Sequence, residues 1–125
     1  MSLLTVSLSK NEIDGEGAIE IKLCLIENKT IKHLLLCINQ IGNRGAKAFA
    51  KALTNNKTLL ELNLRSNNIG DEVAKAIAHA LTNNKILTML VLEDNKISDK
   101  LKDQIKKNVL RDCIYTSIDL LRVLK

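Results

Sequence analysis

Leu59-Leu60-Glu61-Leu62-Asn63-Leu64-Arg65-Ser66-Asn67-Asn68-Ile69-Gly70-Asp71-Glu72 begins with leucines at alternate positions and ends in a polar turn. The alternation places Leu62 and Leu64 on one face of a strand and Glu61, Asn63 and Arg65 on the other. Gly70-Asp71, like Gly42-Asn43 one unit earlier, then supplies a turn and a helix-capping side chain. Beyond it, Ala74, Ile77, Ala78 and Leu81 follow i, i+3, i+4, i+7 spacing, which predicts a helix with one buried stripe. Thr82-Asn83-Asn84 closes that helix, as Thr54-Asn55-Asn56 closes the one before it, with residues that tolerate left-handed dihedrals.

The same pattern recurs at an offset of 28 residues on either side. Asn11, Asn39, Asn67 and Asn95 form one column, and Ile13, Ile41, Ile69 and Ile97 another. Val6, Leu34, Leu62, Leu90 and Ile118 align, as do Leu8, Leu36, Leu64, Leu92 and Leu120. Residues 34–61 and 62–89 are identical at 16 of 28 positions, with apolar, Asn, Gly, Ala and Lys columns all in register. The reading is one domain over residues 1–125, with repeats at about 6–33, 34–61, 62–89 and 90–117 and a terminal strand at 118–125. Parallel strands are expected around residues 7, 35, 63, 91 and 119, and helices near 15–27, 43–55, 71–83 and 99–110.

This unit resembles a leucine-rich repeat of the ribonuclease-inhibitor type, as found in NOD-like receptors, Ran GTPase-activating protein and bacterial proteins that act inside host cells. The resemblance covers essentially the whole chain. It implies an α/β fold: a right-handed solenoid with a parallel β-sheet on the concave side and helices on the convex side. It does not fix one function, because a scaffold can carry many.

Composition narrows the classes further. The chain has 125 residues, 46% hydrophobic and 26% charged, which is the make-up of one globular domain. No run approaches the ~20 apolar residues of a membrane span, and the start lacks the basic segment of a secretory signal. Cys24, Cys37 and Cys113 are odd in number and far apart, which fits a reducing compartment better than a disulfide framework. A cytoplasmic location is therefore expected, with delivery into a host cell as the alternative. Phe49 and Tyr115 are the only aromatics, so a stacking surface for nucleic acid is not expected.

The asparagine column has a structural explanation. An amide side chain both donates and accepts, and so can satisfy backbone groups where a strand leaves into a turn. A buried ladder of Asn11, Asn39, Asn67 and Asn95 is expected. Recognition belongs instead to the strand positions that vary from repeat to repeat. They include His33, Leu35 and Cys37, then Glu61, Asn63 and Arg65, then Met89, Val91, Glu93 and Asp94. With strands about 4.8 Å apart these columns merge into one patch of mixed apolar and charged character, the mixture of a protein-binding surface.

The same face also carries side chains capable of specific chemistry. His33 and Cys37 point the same way with Glu61 beside His33, but no familiar Cys/His ligand spacing accompanies them, so no metal is expected. Arg65 beside Cys37 would favour the thiolate, yet no general base completes a nucleophile. Arg65 and Glu93 share a column and suggest an exposed ion pair. Gly15-Glu16-Gly17 and Gly42-Asn43-Arg44-Gly45 match neither phosphate-loop pattern, so no nucleotide or other cofactor is expected.

The net charge of +5 is uneven: residues 96–125 hold eight Lys or Arg against four acids. With Lys102 and Lys106 in alanine columns, that segment reads as a polar terminal cap rather than a nucleic-acid or membrane patch. At the other end Ile19 and Leu23 stand where later helices carry Lys47, Lys51, Lys75 and His79. Self-association through a solenoid end, or origin in a longer array, is expected from this imbalance. The functional expectation is a non-catalytic module that binds a protein partner through its concave face. The alternatives are an enzyme regulator such as a GTPase activator, and a recognition fragment of a larger bacterial host-directed protein.

Overall fold

A computed structural model describes residues 4–104 of the chain. Strands and helices alternate: β1 (Leu4–Ser7), α1 (Gly15–Glu27), β2 (Ile31–Leu35), α2 (Gly42–Asn55), β3 (Glu61–Asn63), α3 (Asp71–Asn83) and β4 (Met89–Val91). A further helix begins at residue 99 and continues to residue 104. The four strands make one sheet in the order β1-β2-β3-β4, every neighbouring pair parallel. Each crossover carries a helix, and α1 packs on α2 and α2 on α3. The result is the α/β solenoid implied by the repeat, with the sheet on the concave side and the helices on the convex side. The expected strand near 119, the basic segment beyond residue 104 and the half-repeat from Tyr115 lie outside the described residues.

The core lies between sheet and helices. Leu34, Leu62 and Leu90 from the first leucine column and Leu36, Leu64 and Leu92 from the second are buried, and so are Ile41, Ile69 and Ile97. From the helices, Ala46, Phe49, Ala50 and Leu53 pack against them, as do Ala74, Ile77 and Leu81. Lys47, Lys51, Lys75 and His79 stay exposed on the opposite side. Burying so many large aliphatic side chains, at about 25 cal/mol per Å² of apolar surface, is the main stabilising term.

The strands begin and end earlier than the leucine pattern predicts, so that residues 35, 63 and 91 are last in their strands rather than central. The cause is periodic. Ile38, Ser66 and Asp94 adopt left-handed backbone at φ 58°, 57° and 56°, as does Lys10 at 61°. Four residues at one spacing thus turn the chain out of the sheet, although Ile38 still donates its N–H to the Arg65 carbonyl at 2.9 Å.

Both expected helix-end devices are corrected. Asn43 and Asp71 do not cap their own helices: neither α2 nor α3 has a side-chain cap bond at its N-terminus. Instead, Asn43 Oδ1 accepts the N–H of Gly70 and Asp71 Oδ1 the N–H of Ser98, each at 2.7 Å. Local capping is found at α1, by Asp14 accepting from Gly17, and at the helix that begins at residue 99, where Ser98 Oγ accepts from Leu101 at 3.3 Å. At the other end, Asn56 and Asn84 are extended, not left-handed, with φ −73° and −105°. Their side chains serve a second ladder. Asn56 Nδ2 donates to Leu25 O at 3.0 Å and Asn84 Nδ2 to Leu53 O at 2.7 Å, while each Oδ1 accepts two N–H groups of its own turn.

Candidate protein-recognition face

The first asparagine column supports the sheet from below. Asn39 Oδ1 accepts from the N–H groups of Asn11 and Ile13, at 2.9 and 3.0 Å, and its Nδ2 donates to Leu8 O and Leu36 O. Asn95 repeats the arrangement, accepting from Asn67 and Ile69 and donating to Leu64 O and Leu92 O, while Asn67 Oδ1 accepts from Ile41 at 3.3 Å and its Nδ2 donates to Leu36 O and Arg65 O. Asn67 is fully buried, Asn39 is 8% exposed, and Asn95 is half-buried. Asn11 differs from the expectation of burial: it is exposed, because β1 is an edge strand and no repeat lies on its outer side among the described residues.

Above that support the variable side chains line up in rows across the strands. His33, Glu61 and Met89 are register partners, with Thr5 next to His33. Leu35, Asn63 and Val91 make the second row, with Ser7 at its end. All six residues of β2, β3 and β4 in these rows are half-buried, so they present partial apolar and polar surface rather than core. His33 Nδ1 and Glu61 Oε1 are 2.8 Å apart across neighbouring strands. Asn63 Oδ1 accepts the Arg65 N–H at 3.1 Å.

A third row, just past the strands, holds Ser9, Cys37, Arg65 and Glu93. Cys37 Sγ lies 3.0 Å from Ser9 Oγ, which also accepts the Cys37 N–H at 3.1 Å. The expected Arg65–Glu93 ion pair is not formed. Arg65 is exposed and does not meet Glu93, whereas Glu16–Arg44 and Asp99–Lys102 do form ion pairs and His33 Nδ1 lies against Glu61 Oε1. Two solvated side chains gain little by meeting in water.

The left-handed column borders this face. Ser66 donates to Asp94 Oδ2 at 2.6 Å, and Ile38 beside them is 48% exposed. Sequence reasoning selected Asp94 but passed over Ile38, because a single Ile among leucines reads as core. The available signal was its column, whose other members Lys10, Ser66 and Asp94 are all polar. A β-branched residue with positive φ is unfavourable, so nothing in the backbone requires isoleucine there.

Chemically, the face offers apolar contacts at Leu35, Ile38, Met89 and Val91 among charges at Glu61, Arg65, Glu93 and Asp94. No group of three or more His, Cys, Asp or Glu able to hold a metal occurs among the described residues. No helix among them is long and apolar enough to cross a membrane.

Comparison with known proteins agrees with this architecture. The leucine-rich repeat family pattern matches residues 1–22, 27–50 and 55–78, together more than half of the chain. No curated protein sequence matches significantly. Among solved structures, leiomodin-1 actin-binding site 2 superposes with a TM-score of 0.79 at 29% identity, covering 84% of this chain. The chain spans 62% of that structure's length. With its periodic leucines, asparagine ladder and parallel sheet, and with three matches to the family pattern, this chain belongs to the leucine-rich repeat family.

Proposed function

We propose that the chain is a non-catalytic recognition module that binds a protein partner through the concave sheet face. The observation that carries this reading is the register of that face. The invariant leucines point into the core, while His33, Glu61 and Met89 in one row and Leu35, Asn63 and Val91 in the next stay partly open. A graded apolar patch edged by Arg65, Glu93 and Asp94 is the composition of a protein interface, with apolar anchors inside and charges at the rim. The proposed contact set is His33, Leu35, Cys37, Glu61, Asn63, Arg65, Met89, Val91, Glu93 and Asp94, with Ile38 added at its border. The 28-residue step supports placement in the ribonuclease-inhibitor-like group, and the proposed unit boundaries remain about 6–33, 34–61, 62–89 and 90–117.

A photo-crosslinking residue placed at Val91 should capture a protein partner, whereas the same residue at Lys75 on the helical side should not. Crosslinks from Lys75 alone would place the partner on the wrong face. The similarity to an actin-binding structure makes actin the first partner to test. In co-sedimentation with actin filaments, binding by the parent that is lost in E61A/R65A/E93A would identify it. Equal retention by the variant would remove actin from the concave-face reading.

A further inference from the structure

The two middle strands of the sheet, β2 and β3, carry a titratable pair on the concave face. His33 Nδ1 lies 2.8 Å from Glu61 Oε1, and the two side chains are 26% and 23% exposed. A carboxylate at Nδ1 keeps the proton on that nitrogen, so Nε2 of the neutral ring carries the lone pair. Nε2 and Glu61 Oε2 make no hydrogen bond among the described residues, where no buried side-chain nitrogen or oxygen lacks a partner, so both atoms are open to solvent. With the ring neutral, the pair offers two acceptors side by side and one negative charge. Its neighbours leave that charge uncompensated. β1 contributes Thr5 and Ser7, and β4 contributes Met89. Lys32 and Cys37 flank His33 along its own chain segment, and Arg65 follows Glu61 by four residues, yet neither cation pairs with Glu61. The helices pack on the other side of the sheet.

Charge on the rest of the face has the same sign. Glu93 is half-buried and Asp94 accepts the Ser66 hydroxyl, and neither meets a Lys or Arg among the described residues. Between these carboxylates and the His33–Glu61 pair stand Leu35, Met89 and Val91, all half-buried. Carboxylates without a cation around an apolar centre select a partner of opposite charge. Resting on the reading that this face binds a protein, we infer that the partner presents a basic side chain, which donates to His33 Nε2 and the Glu61 carboxylate, with apolar residues beside it on Leu35, Met89 and Val91. His33 then both selects the partner and releases it. Protonation places a hydrogen on Nε2, turns the acceptor into a donor and cancels the charge of the pair, so the same basic side chain faces an imidazolium. Binding is favoured at neutral pH and lost in acid.

A phage-displayed library of random short peptides, selected on the immobilised chain at about pH 7.5, is the probe. Peptides that lose binding to E61A/R65A/E93A report the concave face. They should be enriched in Arg or Lys next to apolar residues, and should bind about tenfold more weakly at about pH 5.5. His33→Gln keeps a side-chain acceptor but does not titrate, so its affinity should change little between those two pH values. His79→Gln, on the helical side, should follow the parent. Long-range proton–nitrogen NMR of the His79→Gln chain, where His33 is the only histidine, should show Nε2 without a proton at neutral pH. Concave-face peptides that are acidic, that bind equally at both pH values, or that keep the parent's pH dependence with His33→Gln overturn the inference and leave the concave-face reading standing. So does a proton on Nε2 at neutral pH. Selected peptides that bind the sheet-face variant as well as the parent overturn both.

Discussion

Asn43 Oδ1 accepts the backbone N–H of Gly70, 27 residues ahead, at 2.7 Å, and leaves its own helix without a side-chain cap. Asp71 does the same for Ser98 at 2.7 Å. A side chain that would stabilise one helix in isolation is used here to fix where the next helix begins. The two asparagine ladders work likewise at either end of the strands, so each repeat carries hydrogen-bond partners for its neighbour. Stability is therefore shared between repeats and not confined within them.

Asp71 makes one of these ties sensitive to pH. The N–H and hydroxyl of Ser98 hold its carboxyl below the ordinary 3.8, with a smaller contribution from Lys75. A carboxylate with a depressed pKa in the folded state stabilises fully above its unfolded value and loses that contribution as pH falls through the folded one. Asp71→Asn keeps an acceptor, as Asn43 shows, but no charge. In urea titrations the parent should exceed the variant in stability at neutral pH, and the difference should vanish in acid.

Asn67 is fully buried and its side chain joins the turns that follow β2 and β3, so Asn67→Ala should cost roughly 1–3 kcal/mol by leaving backbone groups unsatisfied. Arg65→Ala, on the exposed face, should stay within about 0.5 kcal/mol of the parent. Chemical denaturation gives both values. A larger loss for Arg65 than for Asn67 would reverse the division into scaffold and binding columns.

Ile38 occupies φ 58° while 48% exposed. Left-handed backbone costs an L-residue about 1–2 kcal/mol, and asparagine tolerates it best after glycine. Ile38→Asn is expected to raise the melting temperature of the isolated chain, and to weaken partner binding if Ile38 is a contact residue. Thermal unfolding that shows a clear loss of stability would contradict the strain argument.

Helices α1 and α2 meet at Gly45. A Cβ there would lie 2.7 Å from Ile41 Cγ2, 2.8 Å from Ala18 Cβ and 3.1 Å from Gly15 Cα. Ile41 and Ala18 are buried and cannot yield freely. Gly45→Ala should cost about 1–3 kcal/mol through overpacking, measurable as a lower denaturation midpoint.

Much of this arrangement was legible from periodicity. The leucine, isoleucine and asparagine columns repeat in register, and parallel strands, helices and core positions follow from period-2 and period-3.6 spacing. What escaped was the direction of polar side chains. Asn43 and Asp71 sit where caps normally sit, and spacing along one chain cannot distinguish capping of the same helix from a bond to the next repeat. Asn28, Asn56 and Asn84 form a column as regular as the first, but the position of Asn56 and Asn84 after helices suggests left-handed termination instead. On the candidate face the rows were readable because strand register follows the repeat. Ile38 was not, since its exposure arises from a backbone turn that hydrophobicity alone does not report.

The central claim is that partner binding resides on the sheet face and not on the helical one. Affinity capture from cell extract with the parent, with E61A/R65A/E93A and with K47A/K51A/K75A, quantified by mass spectrometry, tests it most directly. At least one protein should be enriched by the parent and by the helical-face variant, and lost with the sheet-face variant while its melting temperature is unchanged. Loss with the helical-face variant alone, or equal enrichment by all three, would contradict the account.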